Sequence, residues 1–120
     1  MRRTALLIAM VVLFGTARLA HAHAFLERAN PAVGSTVHGS PHELVLHFSE
    51  ELEAAFSTVH VEDSQGRPVA AGRAHVDAYD TSVLEVSLPS LPPGRYHVSW
   101  RVVSVDTHVT EGAYAFDVLP

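Results

Sequence analysis

The chain has 120 residues, of which 48% are hydrophobic, 18% are charged and none is cysteine. This length suits one domain of about 100–150 residues and argues against a multidomain enzyme. The absence of cysteine excludes a disulfide framework, an iron–sulfur cluster and a thiolate metal site.

The first 22 residues have the layout of a secretory signal peptide. Arg2 and Arg3 form a basic start, an apolar run extends over residues 5–14, and the small residues Ala20 and Ala22 form a cleavage site. The apolar run is shorter than the roughly 20 residues that a membrane-spanning helix needs. We therefore predict a signal peptide over residues 1–22 and an exported, periplasmic domain over residues 23–120 that does not itself span the membrane.

The charge and composition of the exported part favour a cation-binding protein. Five arginines, no lysine and thirteen Asp and Glu residues leave a net charge of −8 before histidine is counted. An acidic domain binds nucleic acid poorly and attracts cations. Both methionines, Met1 and Met10, belong to the signal, so no thioether site for Cu(I) remains. Eight histidines remain, which raises metal binding as a hypothesis.

Strand patterns dominate the exported part. Apolar and polar residues alternate in five segments, and turn residues such as Asn30-Pro31 and Pro92-Pro93-Gly94 separate them; the segments are 44–48, 59–61, 84–88, 96–102 and 114–118. Six or seven such strands predict an antiparallel two-sheet sandwich with Tyr96 and Trp100 on its core face. Residues 50–55 favour helix but are too few for a stable one, so we expect an irregular corner there.

His23 is the first candidate metal ligand. If cleavage follows Ala22, His23 offers an α-amine and an imidazole, whose ordinary pKa values are about 7.7–8.0 and about 6.5. Both nitrogens can then bind one ion. Cleavage after Ala24 would remove His23, and cleavage after Ala20 would leave His21-Ala22-His23, a different Cu(II)-binding arrangement. An N-terminal histidine can also be merely the residue where cleavage occurred.

Asp106 and His108 form the second element, directly after the predicted strand that contains Trp100. Side chains two apart in a strand point to the same side, so an extended conformation would present the carboxylate and the imidazole together. Alone, this pair is more typical of a surface loop or a simple hydrogen-bonded pair than of a metal site. With His23 it gives three nitrogens and one oxygen, a set that suits tetragonal Cu(II). For the remaining histidines, and for Glu50, Glu51 and Glu53, we expect solvated or hydrogen-bonded side chains.

Four motifs resemble those of CopC/PcoC-type periplasmic copper-binding proteins: an N-terminal His23, NPAVGS at residues 30–35, LHFSEELEAAFSTVHV at 46–61 and WRVVSVDTHVTEG at 100–112. The resemblance covers essentially residues 23–118. It implies an all-β, Ig-like or cupredoxin-like Greek-key sandwich of about seven strands that binds one Cu(II) per chain.

The resemblance also carries functional roles. It implies that His23, Asp106 and His108 are copper ligands. It also implies that Glu50 is a weaker oxygen donor or lies next to the ligands without contacting the ion. Its implied role is copper homeostasis or resistance by a non-enzymatic monomer, which sequesters copper or delivers it to a CopD-type inner-membrane partner. The segment 62–76, where some members carry a Met-rich Cu(I) site, has no methionine here, so we expect a Cu(II)-only member.

Two other functions compete with copper carriage. Some polysaccharide-cleaving monooxygenases hold copper with an N-terminal histidine, and a metal-free Ig-like interaction module would explain the fold alone. The chain contains no G-x-S-x-G elbow and no H-E-x-x-H motif. No general acid or base is evident either, so we predict that the protein is not an enzyme.

Overall fold

The structure is a computed structural model that describes residues 23–69 and 72–120. The predicted signal peptide lies outside the described residues. The described residues form eight strands: β1 (Leu26–Asn30), β2 (Thr36–His38), β3 (Glu43–Phe48), β4 (Thr58–Glu62), β5 (His75–Val76), β6 (Val83–Ser87), β7 (Gly94–Val103) and β8 (Val109–Leu119). In the described residues the helical structure is one 3₁₀ turn, Ala54–Phe56.

The strands form two four-stranded sheets, ordered β1-β3-β6-β5 and β2-β8-β7-β4. The chain changes sheet five times, at the connections β1–β2, β2–β3, β3–β4, β4–β5 and β6–β7. The predicted all-β sandwich is therefore confirmed, with eight strands in place of about seven. The expectation of purely antiparallel pairing is wrong in one place, because β2 pairs with β8 in parallel.

The core lies between the two sheets and follows the alternation seen in the sequence. Leu44, Leu46 and Phe48 of β3 are buried, and they belong to one cluster with Val98 and Val102 of β7. Burying a side chain of this size contributes about 1.5–3 kcal/mol, so the inward faces of these strands hold the sheets together.

Tyr96 is buried as predicted, whereas Trp100 is only half-buried and packs against the edge of the core. Its strand register explains the arrangement, because Trp100 lies opposite Gly112 of β8. A glycine leaves space over which the indole can lie.

One end of the sandwich joins both sheets and carries the site. After β3, the amide of Leu52 donates to the carbonyl of Thr81 (2.9 Å) and the amide of Glu53 donates to that of Val103 (2.8 Å). Residues 50–55 therefore form the expected irregular corner, which ends in the 3₁₀ turn. At this end β1 begins, β7 ends and β8 begins.

Candidate metal centre

The first residues that the structure describes, His23-Ala24-Phe25, are held against the end of β3. Ala24 is fully buried. The amide of Phe25 donates to the hydroxyl of Ser49 (2.8 Å), and the amide of Ser49 donates to the carbonyl of Phe25 (2.8 Å). The Ser49 hydroxyl in turn donates to the carbonyl of His23 (3.3 Å). These bonds fix the backbone of His23 while its side chain stays exposed.

The residues Asp106-Thr107-His108 lie in the turn between β7 and β8. The amide of Thr107 donates to the carbonyl of Ser104 (2.8 Å), and the amide of Ser104 donates to that of His108 (3.0 Å). Thr107 has φ +75°, in the left-handed region, which is rare for a β-branched residue. The predicted extended conformation is therefore wrong here, because the chain reverses direction at this point.

The turn nevertheless brings the two predicted ligands together. Nδ1 of His108 lies 3.4 Å from Oδ1 of Asp106. The hydroxyl of buried Ser104 donates to the Asp106 carboxylate. This hydrogen bond, followed by the interaction with His108, holds the pKa of Asp106 below its ordinary value. Asp106 is consequently ionised at neutral pH and available as an oxygen donor.

The two elements meet at the end of the sandwich. The imidazole rings of His23 and His108 have centroids 5.0 Å apart and cross at 73°, edge to face. The fold thus brings together His23, Asp106 and His108 from the two ends of the chain. Within residues 23–69 and 72–120, no three His, Asp or Glu side chains are already arranged to enclose an ion, so these side chains would have to rotate to share one.

Glu50 occupies the segment between the two elements. It follows Ser49, which binds the N-terminal residues, and it precedes Glu51, whose carbonyl accepts from the amide of Val105 (3.0 Å). Its side chain is exposed. The backbone therefore places Glu50 beside both ligand-bearing segments.

Two serines that hold these segments were missed by the ligand analysis. Ser49 belongs to the motif at residues 46–61 and Ser104 to the motif at residues 100–112, but only their acidic and histidine neighbours have side chains typical of metal ligands. The other histidines lie elsewhere and are solvated or hydrogen-bonded, as expected. His47 contacts Arg28 (3.3 Å), and His75 contacts Glu85 (3.1 Å).

Comparison with known proteins identifies the family of the chain. Residues 26–119 match the family model described as the CopC domain. The chain belongs to the CopC family. Among CopC relatives, copper resistance protein C of Escherichia coli is 34% identical over 115 residues, covering 89% of this chain and 90% of the relative. Protein YobA of Escherichia coli K12 is 39% identical over 98 residues, covering 81% of this chain and 79% of YobA.

Solved CopC structures share the sandwich. CopC from Methylosinus trichosporium OB3b superposes with a TM-score of 0.77 at 37% identity, over 82% of this chain and 95% of that one. PcoC from Escherichia coli, described as a methionine-rich copper resistance protein, gives a TM-score of 0.73 at 34% identity, over 81% and 99% of the two chains. No helix among the described residues of this CopC chain has the length and apolar character to cross a membrane.

Proposed function

We propose that this CopC protein is exported to the periplasm, loses residues 1–22 and binds one Cu(II) through His23, Asp106 and His108. The observation that carries the proposal is the 5.0 Å approach of the His23 and His108 rings, with Asp106 beside His108. Two segments that are more than eighty residues apart in sequence meet there.

The donor set fits Cu(II). The α-amine and imidazole of His23, the imidazole of His108 and the carboxylate of Asp106 supply three nitrogens and one oxygen, which suit tetragonal Cu(II), the strongest-binding ion of the divalent first-row series. Glu50 would supply a weaker oxygen ligand or lie next to these ligands without contacting the ion. The full burial of Ala24 supports cleavage after Ala22, because cleavage after Ala24 would remove a core residue.

The chemistry of the chain also supports a Cu(II)-only function. The exported part contains no methionine and no cysteine, and Cu(I) prefers such soft ligands. This composition contrasts with the structural relative that is described as methionine-rich.

The biological role that we propose is copper homeostasis or resistance, by a monomer that sequesters Cu(II) or delivers it to a CopD-type inner-membrane partner. Relatives named for copper resistance support this role. A relative named copper transport protein CutJ, from Bacillus subtilis, is 25% identical, and the match covers 93% of this chain but 21% of CutJ. The negative charge of the exported part would concentrate cations near the site.

Cu(II) titration of the processed protein tests the proposal. The full sequence is expressed with export, and mass spectrometry identifies the N-terminus. Because the chain has no lysine, chemical acetylation at neutral pH modifies the α-amine alone among primary amines. We expect one tightly bound Cu(II) with a nitrogen-rich tetragonal EPR spectrum. Acetylation should weaken binding by more than roughly 10–100-fold, the loss typical when a residue that hydrogen-bonds to a metal ligand is removed. Equal affinity of the two forms would refute the amine ligand.

Ligand variants separate this function from the two alternatives. D106A and H108A should bind Cu(II) more weakly and keep the fold, whereas H97A, which removes an exposed histidine on the outer face of β7, should bind as the wild type does. Unchanged Cu(II) affinity in D106A and H108A would exclude these two side chains as ligands, and a wild type that binds no Cu(II) tightly would favour the metal-free module. Reductant-dependent peroxide production by the copper-loaded protein would favour the oxidase.

A further inference from the structure

We propose that Ser49 is a positioning residue for copper binding, because its hydroxyl sets the place of the N-terminal His23. This inference rests on the proposed Cu(II) site. The Ser49 hydroxyl accepts from the amide of Phe25 at 2.8 Å and donates to the carbonyl of His23 at 3.3 Å. One hydroxyl thus bonds to His23, which would supply two nitrogen ligands, and to Phe25.

The strand pairing explains why a side chain, and not the backbone, accepts the hydrogen bond from the Phe25 amide. The last residue pair of the β1–β3 ladder is Leu26 with Phe48, and the register shifts just after Leu26. Beyond that pair the amide of Ser49 still donates to the carbonyl of Phe25 (2.8 Å). The return bond from the Phe25 amide goes to the hydroxyl of Ser49 in place of a backbone carbonyl. A hydroxyl has one donor and two acceptor positions, so it can serve both His23 and Phe25.

The position of β1 makes this contact decisive. β1 is the outermost strand of its sheet and pairs with β3 alone. Among the described residues, Ser49 makes the hydrogen bonds that hold the backbone of His23 and Phe25, and burial holds Ala24. Without the hydroxyl, Ala24 stays buried and the Ser49 amide still bonds to Phe25, but the His23 carbonyl and the Phe25 amide lose their bonds to Ser49.

The expected effect is on the N-terminal ligands in particular. S49A should weaken Cu(II) binding by about tenfold, the lower end of the range for residues that orient a metal ligand. Acetylation of the α-amine should then cost S49A a smaller factor than it costs the wild type, because the amine is no longer held at the site. S49T keeps the hydroxyl on an exposed residue and should restore both the affinity and the acetylation effect.

A matched serine controls for general loss of a hydrogen bond. The Ser40 hydroxyl accepts from the amide of Leu91 at 2.7 Å, near the start of β3 and so at the opposite end of the sandwich. S40A should leave the Cu(II) affinity and the acetylation effect unchanged.

The experiment combines Cu(II) titration of the exported, processed proteins with hydrogen exchange of the Phe25 amide in the copper-free state. The expected results are weaker binding, a smaller acetylation effect and faster Phe25 exchange in S49A. Unchanged affinity in S49A, or an equal acetylation factor in S49A and wild type, overturns the inference. If acetylation has no effect on the wild type, the proposed copper ligands are wrong, and the exchange rate of Phe25 still decides whether Ser49 holds the N-terminus.

Discussion

Gly112 occupies a position where a single methyl group should destabilise the sandwich. It lies opposite Trp100 across β7 and β8. A Cβ atom built on Gly112 would lie 2.2 Å from Cζ2, 2.6 Å from Cη2 and 2.8 Å from Cε2 of that indole. The ring has little room to move, because it packs between Phe48 at 6.1 Å and Tyr114 at 6.2 Å between centroids.

Overpacking of this kind typically costs 1–3 kcal/mol, and we expect G112A to cost about 3 kcal/mol because three ring atoms would be far inside contact distance. For a domain of this size that corresponds to a Tm lower by more than about 10 °C. Urea unfolding followed by fluorescence measures the effect directly, since Trp100 is the only tryptophan.

A double-mutant cycle identifies the cause. The buried indole N–H of Trp100 has no hydrogen-bond partner among the described residues, so W100F removes the outer part of the ring without breaking a hydrogen bond. In the W100F background G112A should cost less than about 1 kcal/mol, with unfolding followed by circular dichroism. A G112A protein as stable as the wild type would refute the packing argument.

Three further predictions follow from the contacts of the fold and the site. A hydrogen bond from the Arg67 amide lowers the pKa of Asp63 from 3.8, and a hydrogen bond from the Arg95 side chain lowers that of Asp117. The contribution of these two carboxylates to the free energy of unfolding should therefore be fully present well above pH 3.8 and be lost as the pH falls through the lowered pKa values. A higher urea midpoint at pH 3 than at pH 7 would contradict this. Y114F removes the bond from the buried Tyr114 hydroxyl to the carbonyl of Pro31 (2.9 Å) and should cost about 1 kcal/mol in a urea titration. A protein that begins at Ala22 should bind Cu(II) more weakly than one that begins at His23, because its His23 nitrogen is an amide; equal Kd values would exclude the amine as a ligand.

The central strands of the fold could be predicted because their burial alternates residue by residue. Leu44, Leu46 and Phe48 are buried as their spacing indicated. Three strands escaped prediction because they are short or exposed. β5 has two residues and β2 has three, too few for a period to appear, and none of the five residues of β1 is buried. The parallel pairing of β2 with β8 joins distant segments, and no local pattern encodes it.

The sequence indicated the residue types of the candidate site and not their geometry. Asp106 and His108 were expected to share one side of a strand, whereas they meet because the chain turns at Thr107 with positive φ. Threonine has no intrinsic preference for that conformation, so the hydrogen bonds from the amides of Thr107 and Ser104 must maintain it. The role of Ser49 was equally hidden, because its partners His23 and Phe25 are more than twenty residues away.

The separation of the ligands along the chain has a thermodynamic consequence. His23 alone offers a local chelate that an unfolded chain also possesses, whereas the approach of His23 to His108 exists only in the folded protein. An ion that binds the folded state alone stabilises it by about 2.7 kcal/mol at a free concentration of 100 times Kd, and affinity for the unfolded state reduces this gain. Cu(II) should therefore raise the Tm of the wild type and raise it much less in H108A, where the local chelate remains in both states. An equal rise in the two proteins would mean that the folded site adds nothing to the N-terminal chelate.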